Sequence, residues 1–301
     1  MRRLSSHLIF ASLFVIGVAH SAQVSITIDD FYLGPSPRLS GVEKDKKILE
    51  VFKKRKRHPA LFVTTQHLEV PGALERLKVW DQQGAFIANH THTHPYYHKT
   101  SFKDFSEDFL KADSILSSFK NFKKYFRFPY LKEGESVEKR DAMRALLKEK
   151  GYLNGAVTID ASDWYIAQRM VERLKKKPKA DLRPYKEYFL KHIWSCAEYY
   201  DQLAKKVIGR EIKHSLLLHH NLLNALFLED LLQMFEKKGW NIVNPEVAFS
   251  DPVFNSSPQN IPAGESLLWA LAKENPNTAK ELRYPAEDSE YEKDKMDKLG
   301  L

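Results

Sequence analysis

The chain has 301 residues, 43% of them apolar, enough to bury one large core or two small ones. Its formal charge is +8 and its pI near 9.2, but much of that charge sits in two runs, Lys53 to Arg57 and Lys175 to Lys177. Both read as solvated helix faces, attracted at most to an anionic cell envelope and not to nucleic acid. The single cysteine, Cys196, excludes an internal disulfide and reads as a small buried filler, so stability has to come from the core.

At the N-terminus Arg2 and Arg3 precede an apolar run from Leu8 to Ala19, and Ala19-His20-Ser21 offers small residues for cleavage. Residues 1–21 therefore read as an export signal. The run is too short to span a bilayer, which takes roughly 20 residues, and no cysteine stands at the cleavage site to carry a lipid. The expectation is a periplasmic or secreted protein without a stable membrane anchor.

A strand is predicted at Val24, Ile26 and Ile28, which alternate with Ser25 and Thr27. Further strands are predicted at 60–64, 85–88, 125–128, 156–159, 215–218 and 240–243. Helical spacing lies between them, as in Ile48, Leu49 and Phe52, in Phe105, Phe109, Ile115 and Leu116, and from Leu222 to Lys238 before Gly239. The alternation predicts an α/β fold of about seven parallel strands, open or closed into a barrel. Two helical stretches around Pro178 and Pro184 read as an insertion at about 165–210, between the fifth and sixth strands. The domain is predicted to cover 22–250. Residues 251–301, rich in Pro, Asn, Ser and Lys with one short helix at Leu267, Leu268 and Leu271, read as a tail, packed on the domain or partly disordered.

The polar residues able to do chemistry follow the apolar runs. Asp29-Asp30 ends the first, His90 to His94 the third and Arg127 to Tyr130 the fourth. Asp160 to Trp164 follows the fifth, and His219-His220 the sixth. Parallel α/β folds carry their active sites on that edge. Three alternate histidines in five residues point to a metal. Arg127, in an otherwise apolar strand, calls for a carboxylate partner.

Taken in order, Thr27-Ile28-Asp29-Asp30, His90-Thr91-x-x-His94-Pro95, Arg127-Phe128-Pro129-Tyr130, Asp160-x-x-Asp163-Trp164 and Leu217-Leu218-His219 resemble the five-motif series of the polysaccharide deacetylases. This is the NodB-homology group, carbohydrate esterase family 4. The resemblance implies a distorted (β/α) barrel and one divalent metal ion, Zn²⁺ with Co²⁺ or Ni²⁺ as alternatives, on Asp30, His90 and His94. It implies Asp29 as general base, Arg127 as its partner, and His219 as general acid oriented by Asp163. Pro129, Tyr130 and Trp164 would contact substrate, Tyr130 through its backbone N–H and Trp164 as a wall of the acetyl pocket. His92 occupies a variable position and is left out. His90 and His94, four apart, would share one side of a helical turn. His220 satisfies the same Leu-x-His pattern and stays open as the acid.

Two positions depart from the family, Phe31 and Leu131 where glycine is usual, and both are expected to add bulk near the substrate groove. The implied reaction is hydrolysis of an N-acetyl or O-acetyl group on an acetylated polysaccharide or oligosaccharide outside the cytoplasm. The rival readings are a hydrolase of a non-sugar amide or formamide, and an inactive glycan-binding protein.

Overall fold

The computed structural model of the protein describes residues 21–301, so the export-signal reading of residues 1–21 falls almost wholly outside it. Strand β1 (Gln23–Asp29) is buried from Val24 onward and forms the spine of the sheet. In chain order follow α1 (Gly41–Arg55), β2 (Ala60–Val63), α2 (Ala73–Gln82), β3 (Phe86–Asn89), α3 (Phe102–Leu116) and β4 (Phe122–Phe126). Then come β5 (Lys132–Gly134), α4 (Val137–Glu149), β6 (Leu153–Asn154), α5 (Asp163–Lys176), α6 (Arg183–Ile208), β7 (Lys213–His219) and α7 (Leu222–Lys237). The chain ends with β8 (Asn241–Ile242), α8 (Pro245–Ala248), β9 (Ala263–Gly264), α9 (Leu267–Glu274), α10 (Pro276–Ala279) and α11 (Lys293–Lys298).

The main sheet has seven strands, all paired in parallel, in the order β6-β4-β3-β2-β1-β7, with β8 against the start of β1. It is the parallel sheet expected from the alternation, in the form of the distorted (β/α) barrel that the resemblance implies, left open between β6 and β7. Helices bury one face each, for the periodic reason: α3 turns Phe105, Phe109, Ala112 and Leu116 inward, four positions apart or close to it. Each such aromatic or leucine contributes about 1.5–3 kcal/mol of burial. Ser101 caps that helix through the Asp104 N–H.

Two readings of the strands need correction. Residues 156–159 form no strand; they lie along β7, hydrogen-bonded to Ser215 and Leu217, but pair with it in register only at one bridge from Ile159 to Leu216. Gly155 explains the departure, because a Cβ there would lie 2.3 Å from the Phe62 ring, so the chain passes close over the barrel interior before it reaches β7. The fourth strand is also shifted, running 122–126, so that Arg127 to Tyr130 lie wholly beyond it.

The stretch of 163–208 is two long helices, α5 ending before Pro178 and α6 taking Pro184 in its first turn. Residues 251–301 pack back on the domain. Leu267, Leu268 and Met296 join the main core, and the backbone of 286 hydrogen-bonds Asp160 beneath the sheet edge. Among the described residues, no helix is long and apolar enough to cross a membrane.

Candidate active site

The sheet ladder continues one residue past each strand and so fixes the residues that follow. Asp30 N–H donates to the Phe62 carbonyl, His90 N–H to Val63, Arg127 N–H to Asn89 and His220 N–H to Asp29. The polar clusters that follow β1, β3, β4 and β7 thereby meet at one edge.

Asp30, His90 and His94 bring one ligand atom each within 4.8 Å of one another. His90 Nδ1–H donates to the Arg127 carbonyl at 2.8 Å, which fixes the tautomer and leaves Nε2 as the free lone pair. Thr64 holds Asp30 through a 2.9 Å hydrogen bond. Burial pushes both imidazoles down to about 4, so each is neutral and able to ligate. Burial raises Asp30, but His94 and His90 outweigh it and hold the carboxyl well below the usual range. Two neutral imidazoles and one ionised carboxylate form the donor set of an open divalent site, so the residues fit the ion that the motifs imply.

The histidine loop is not the helical turn expected from the spacing. Thr91 and His94 take left-handed backbone, as do Asp30 and Tyr130, with φ of 69, 60, 56 and 56°. Each such non-glycine residue costs on the order of 1–3 kcal/mol, and their concentration at one edge marks it as functional. Asp108 on α3 secures the loop by accepting from the N–H of His92 and Thr93 at 2.7 and 3.0 Å. His92 itself is buried against Thr65 and takes no part in the cluster.

Asp29 is buried and clamped by Arg127, whose Nη1 lies 2.6 Å from Oδ1. That guanidinium also donates to Thr27 and to the Gly155 carbonyl and lies 3.8 Å over the Phe62 ring. Burial pushes Asp29 up to about 6 while Arg127 pulls it down. Its second oxygen faces His90 Nε2 at 3.6 Å.

Across the site, His219 Nδ1 lies 2.7 Å from Asp163. Asp163 stands at the N-terminus of α5 and also accepts from the His219 N–H, Asn221 and Asn224. Burial opposes the charge on His219, but Asp163 and Glu287 raise its pKa well above the ordinary imidazole value. His220, by contrast, faces Asp45, Tyr32 and the Phe31 ring, away from this cluster.

Tyr130 is 42% exposed and packs edge-on against His94, on the open side of the cluster. Pro129 is buried and starts the turn that carries it. Trp164 donates its indole N–H to the Ala286 carbonyl, which ties α5 to the C-terminal segment. Phe31 is fully buried in the main core, whereas Leu131 packs with Val157 and Leu217 and lines a cavity beside Arg127 and Phe128.

One residue had no signal in the sequence. Glu287, in the stretch read as a tail, has a largely covered side chain with its Oε2 3.7 Å from His219 Nε2. A lone acid in a charged, aperiodic segment follows no strand and belongs to no motif.

Comparison with known proteins agrees with this architecture. The family described as Polysaccharide deacetylase matches residues 17–154, a span that holds the first three motifs and stops before Asp163 and His219. No curated protein matches the sequence. Among solved structures, a chitin deacetylase from Colletotrichum lindemuthianum is 17% identical, with 81% of this chain and 92% of that chain covered and a TM-score of 0.53. A variant of the peptidoglycan deacetylase PdaC from Bacillus subtilis is 18% identical over 76% and 90%, with a TM-score of 0.51. A CE4 family pseudoenzyme from Bacillus anthracis is 15% identical over 76% and 66%, with a TM-score of 0.53. At these identities the likeness is one of fold.

Proposed function

Residues 17–154 carry a polysaccharide deacetylase sequence on the fold of that family, and from this premise we propose that the chain is a metal-dependent hydrolase removing N-acetyl or O-acetyl groups from a glycan outside the cytoplasm. The observation that carries the reading is the pair of proton-transfer groups, Asp29 on Arg127 and His219 on Asp163, on either side of the Asp30, His90 and His94 donor set. A divalent ion there would polarise the acyl carbonyl and make water more acidic. The chain's own residues do the rest. Asp29 takes the proton of the attacking water, and Arg127 keeps that carboxylate aimed. His219 gives its Nε2 proton to the leaving atom, and Asp163 holds the ring in the tautomer that can do so. The Tyr130 N–H would donate to the oxygen that gains charge, and Trp164 would bound the acyl pocket from the Ala286 side.

Three features of the site support the roles that the resemblance implies. The donor set is complete, both acid and base are present, and each has a dedicated buried partner. An inactive glycan-binding protein has no need to keep all of these. The rival amide hydrolase keeps only Leu131 for its argument from bulk, because Phe31 is sealed in the main core. Acetate release should be measured with metal-loaded protein on peptidoglycan, chito-oligosaccharides and acetylated xylan, beside small formamides. Turnover of at least one acetylated glycan is expected. Turnover confined to the formamides would replace the glycan reading with the amide one.

A further inference from the structure

The C-terminal segment delivers Glu287 to the leaving-group side of the site, and the fastening is specific. Ala286 N–H donates to Asp160 at 2.7 Å, and the Ala286 carbonyl accepts from Ser162 and from the Trp164 indole. Lys132 pairs with Asp288 next door, and with Glu265. The Glu287 side chain is only 9% exposed, and its Oε1 has no hydrogen-bond partner among the described residues. A buried carboxyl oxygen of this kind can accept from an N–H.

We propose that Glu287 is a specificity residue that accepts the N–H of the leaving nitrogen, so that the site selects N-acyl amides over O-acyl esters; this rests on the deacetylase reading above. The geometry supplies the reason. His219 Nε2 and Glu287 Oε2 are 3.7 Å apart, and one atom at ordinary hydrogen-bond distance from both completes a triangle on that edge. That atom has to accept from His219 and donate to Glu287. An amide nitrogen does both once its carbon has been attacked, whereas an ester oxygen has no hydrogen to give. In the step itself the C–N bond breaks, its electron pair stays on nitrogen, and nitrogen takes the proton of His219 Nε2. The acyl carbon keeps the oxygen of water, whose proton has gone to Asp29. The freed amine then faces Glu287, which serves as counter-charge when it becomes an ammonium. Burial pushes the Glu287 carboxyl upward, His219 opposes that, and Asp160 adds to it.

The test compares wild type, Glu287→Ala and Glu287→Gln, all metal-loaded. N-acetylated chito-oligosaccharides and acetylated xylo-oligosaccharides of equal length serve as amide and ester. The ratio of amide to ester kcat/KM should fall about 10- to 100-fold in Glu287→Ala, the size of one lost buried hydrogen bond. Glu287→Gln keeps an acceptor carbonyl and should retain part of that ratio. Calorimetry gives a reading independent of turnover: fully deacetylated chitobiose should bind wild type more tightly than cellobiose, and Glu287→Ala should abolish the difference. An unchanged ratio in Glu287→Ala, or equal binding of the two disaccharides to wild type, overturns the proposal. A wild type that releases acetate from neither substrate contradicts the deacetylase reading instead, and the calorimetry then decides the role of Glu287 alone.

Discussion

His219 and His220 are neighbours in sequence with opposite surroundings: His219 reaches Asp163 and Glu287, while His220 is sealed against Asp45, Tyr32 and Phe31. Substituting each should therefore separate chemistry from stability. His219→Ala is expected to lower kcat about 10²- to 10⁴-fold, the usual worth of a general acid, with little change in Tm. His220→Ala is expected to leave kcat within a few-fold and to cost about 1–3 kcal/mol, because the buried Asp45 loses one of its partners. Reversal of the two results would move the acid to His220. Residue identity at this scale was legible wherever a motif sat just past an apolar run, as for Asp29, Asp30, His90, His94 and Arg127. The choice within the histidine pair was not, since both satisfy one pattern and only the packing of β7 against α1 and α5 divides them. Phe31 misled for the same reason, its bulk being directed into the core.

At the scale of elements, the loop from His90 to His94 brings a candidate ligand pair together without a helix. The four-residue spacing suggests a turn, but Thr91 and His94 take left-handed backbone, and the loop is pinned by Asp108 from α3. Asp108→Ala should therefore weaken metal binding about 10- to 100-fold, the usual effect of removing a group that orients ligands. Chelator competition reads this out directly. Unchanged affinity would mean that the loop holds its shape without α3. The strands were legible by their period, yet 156–159 was not, because after Gly155 it joins β7 at a single bridge and makes its other hydrogen bonds to β7 irregularly. An apolar run signals burial, and only pairing makes it a strand.

For the molecule as a whole, the C-terminal 50 residues complete the site from outside the motif series. Glu292 anchors that segment: it is buried, lies 3.6 Å from His192 and accepts from Tyr188 and Lys295. Burial raises its pKa, but His192 and these hydrogen bonds win and bring the carboxyl down to about 2 from 4.5. A group whose pKa is depressed by folding stabilises fully above its unfolded value and loses that contribution as pH falls. Thermal unfolding should thus show stability falling from pH 4.5 toward 2 with a share from Glu292 on the order of 1–3 kcal/mol. Glu292→Gln should lower Tm by a few degrees at pH 7 and flatten that acid limb. A variant with the wild-type Tm and acid limb would show the segment to be held elsewhere. Composition alone read these residues as a tail, since Pro, Asn and Lys predominate there and the few anchoring side chains have no period to announce them.

The central claim, a hydrolase whose ion on Asp30, His90 and His94 works with Asp29, is tested most directly by titrating metal into stripped protein while recording acetate release. Wild type should be inactive when stripped and recover with one equivalent of Zn²⁺ or Co²⁺. Asp29→Asn should bind the same equivalent and stay at least about 10²-fold slower. Turnover by the stripped protein, or undiminished turnover by Asp29→Asn, would contradict it.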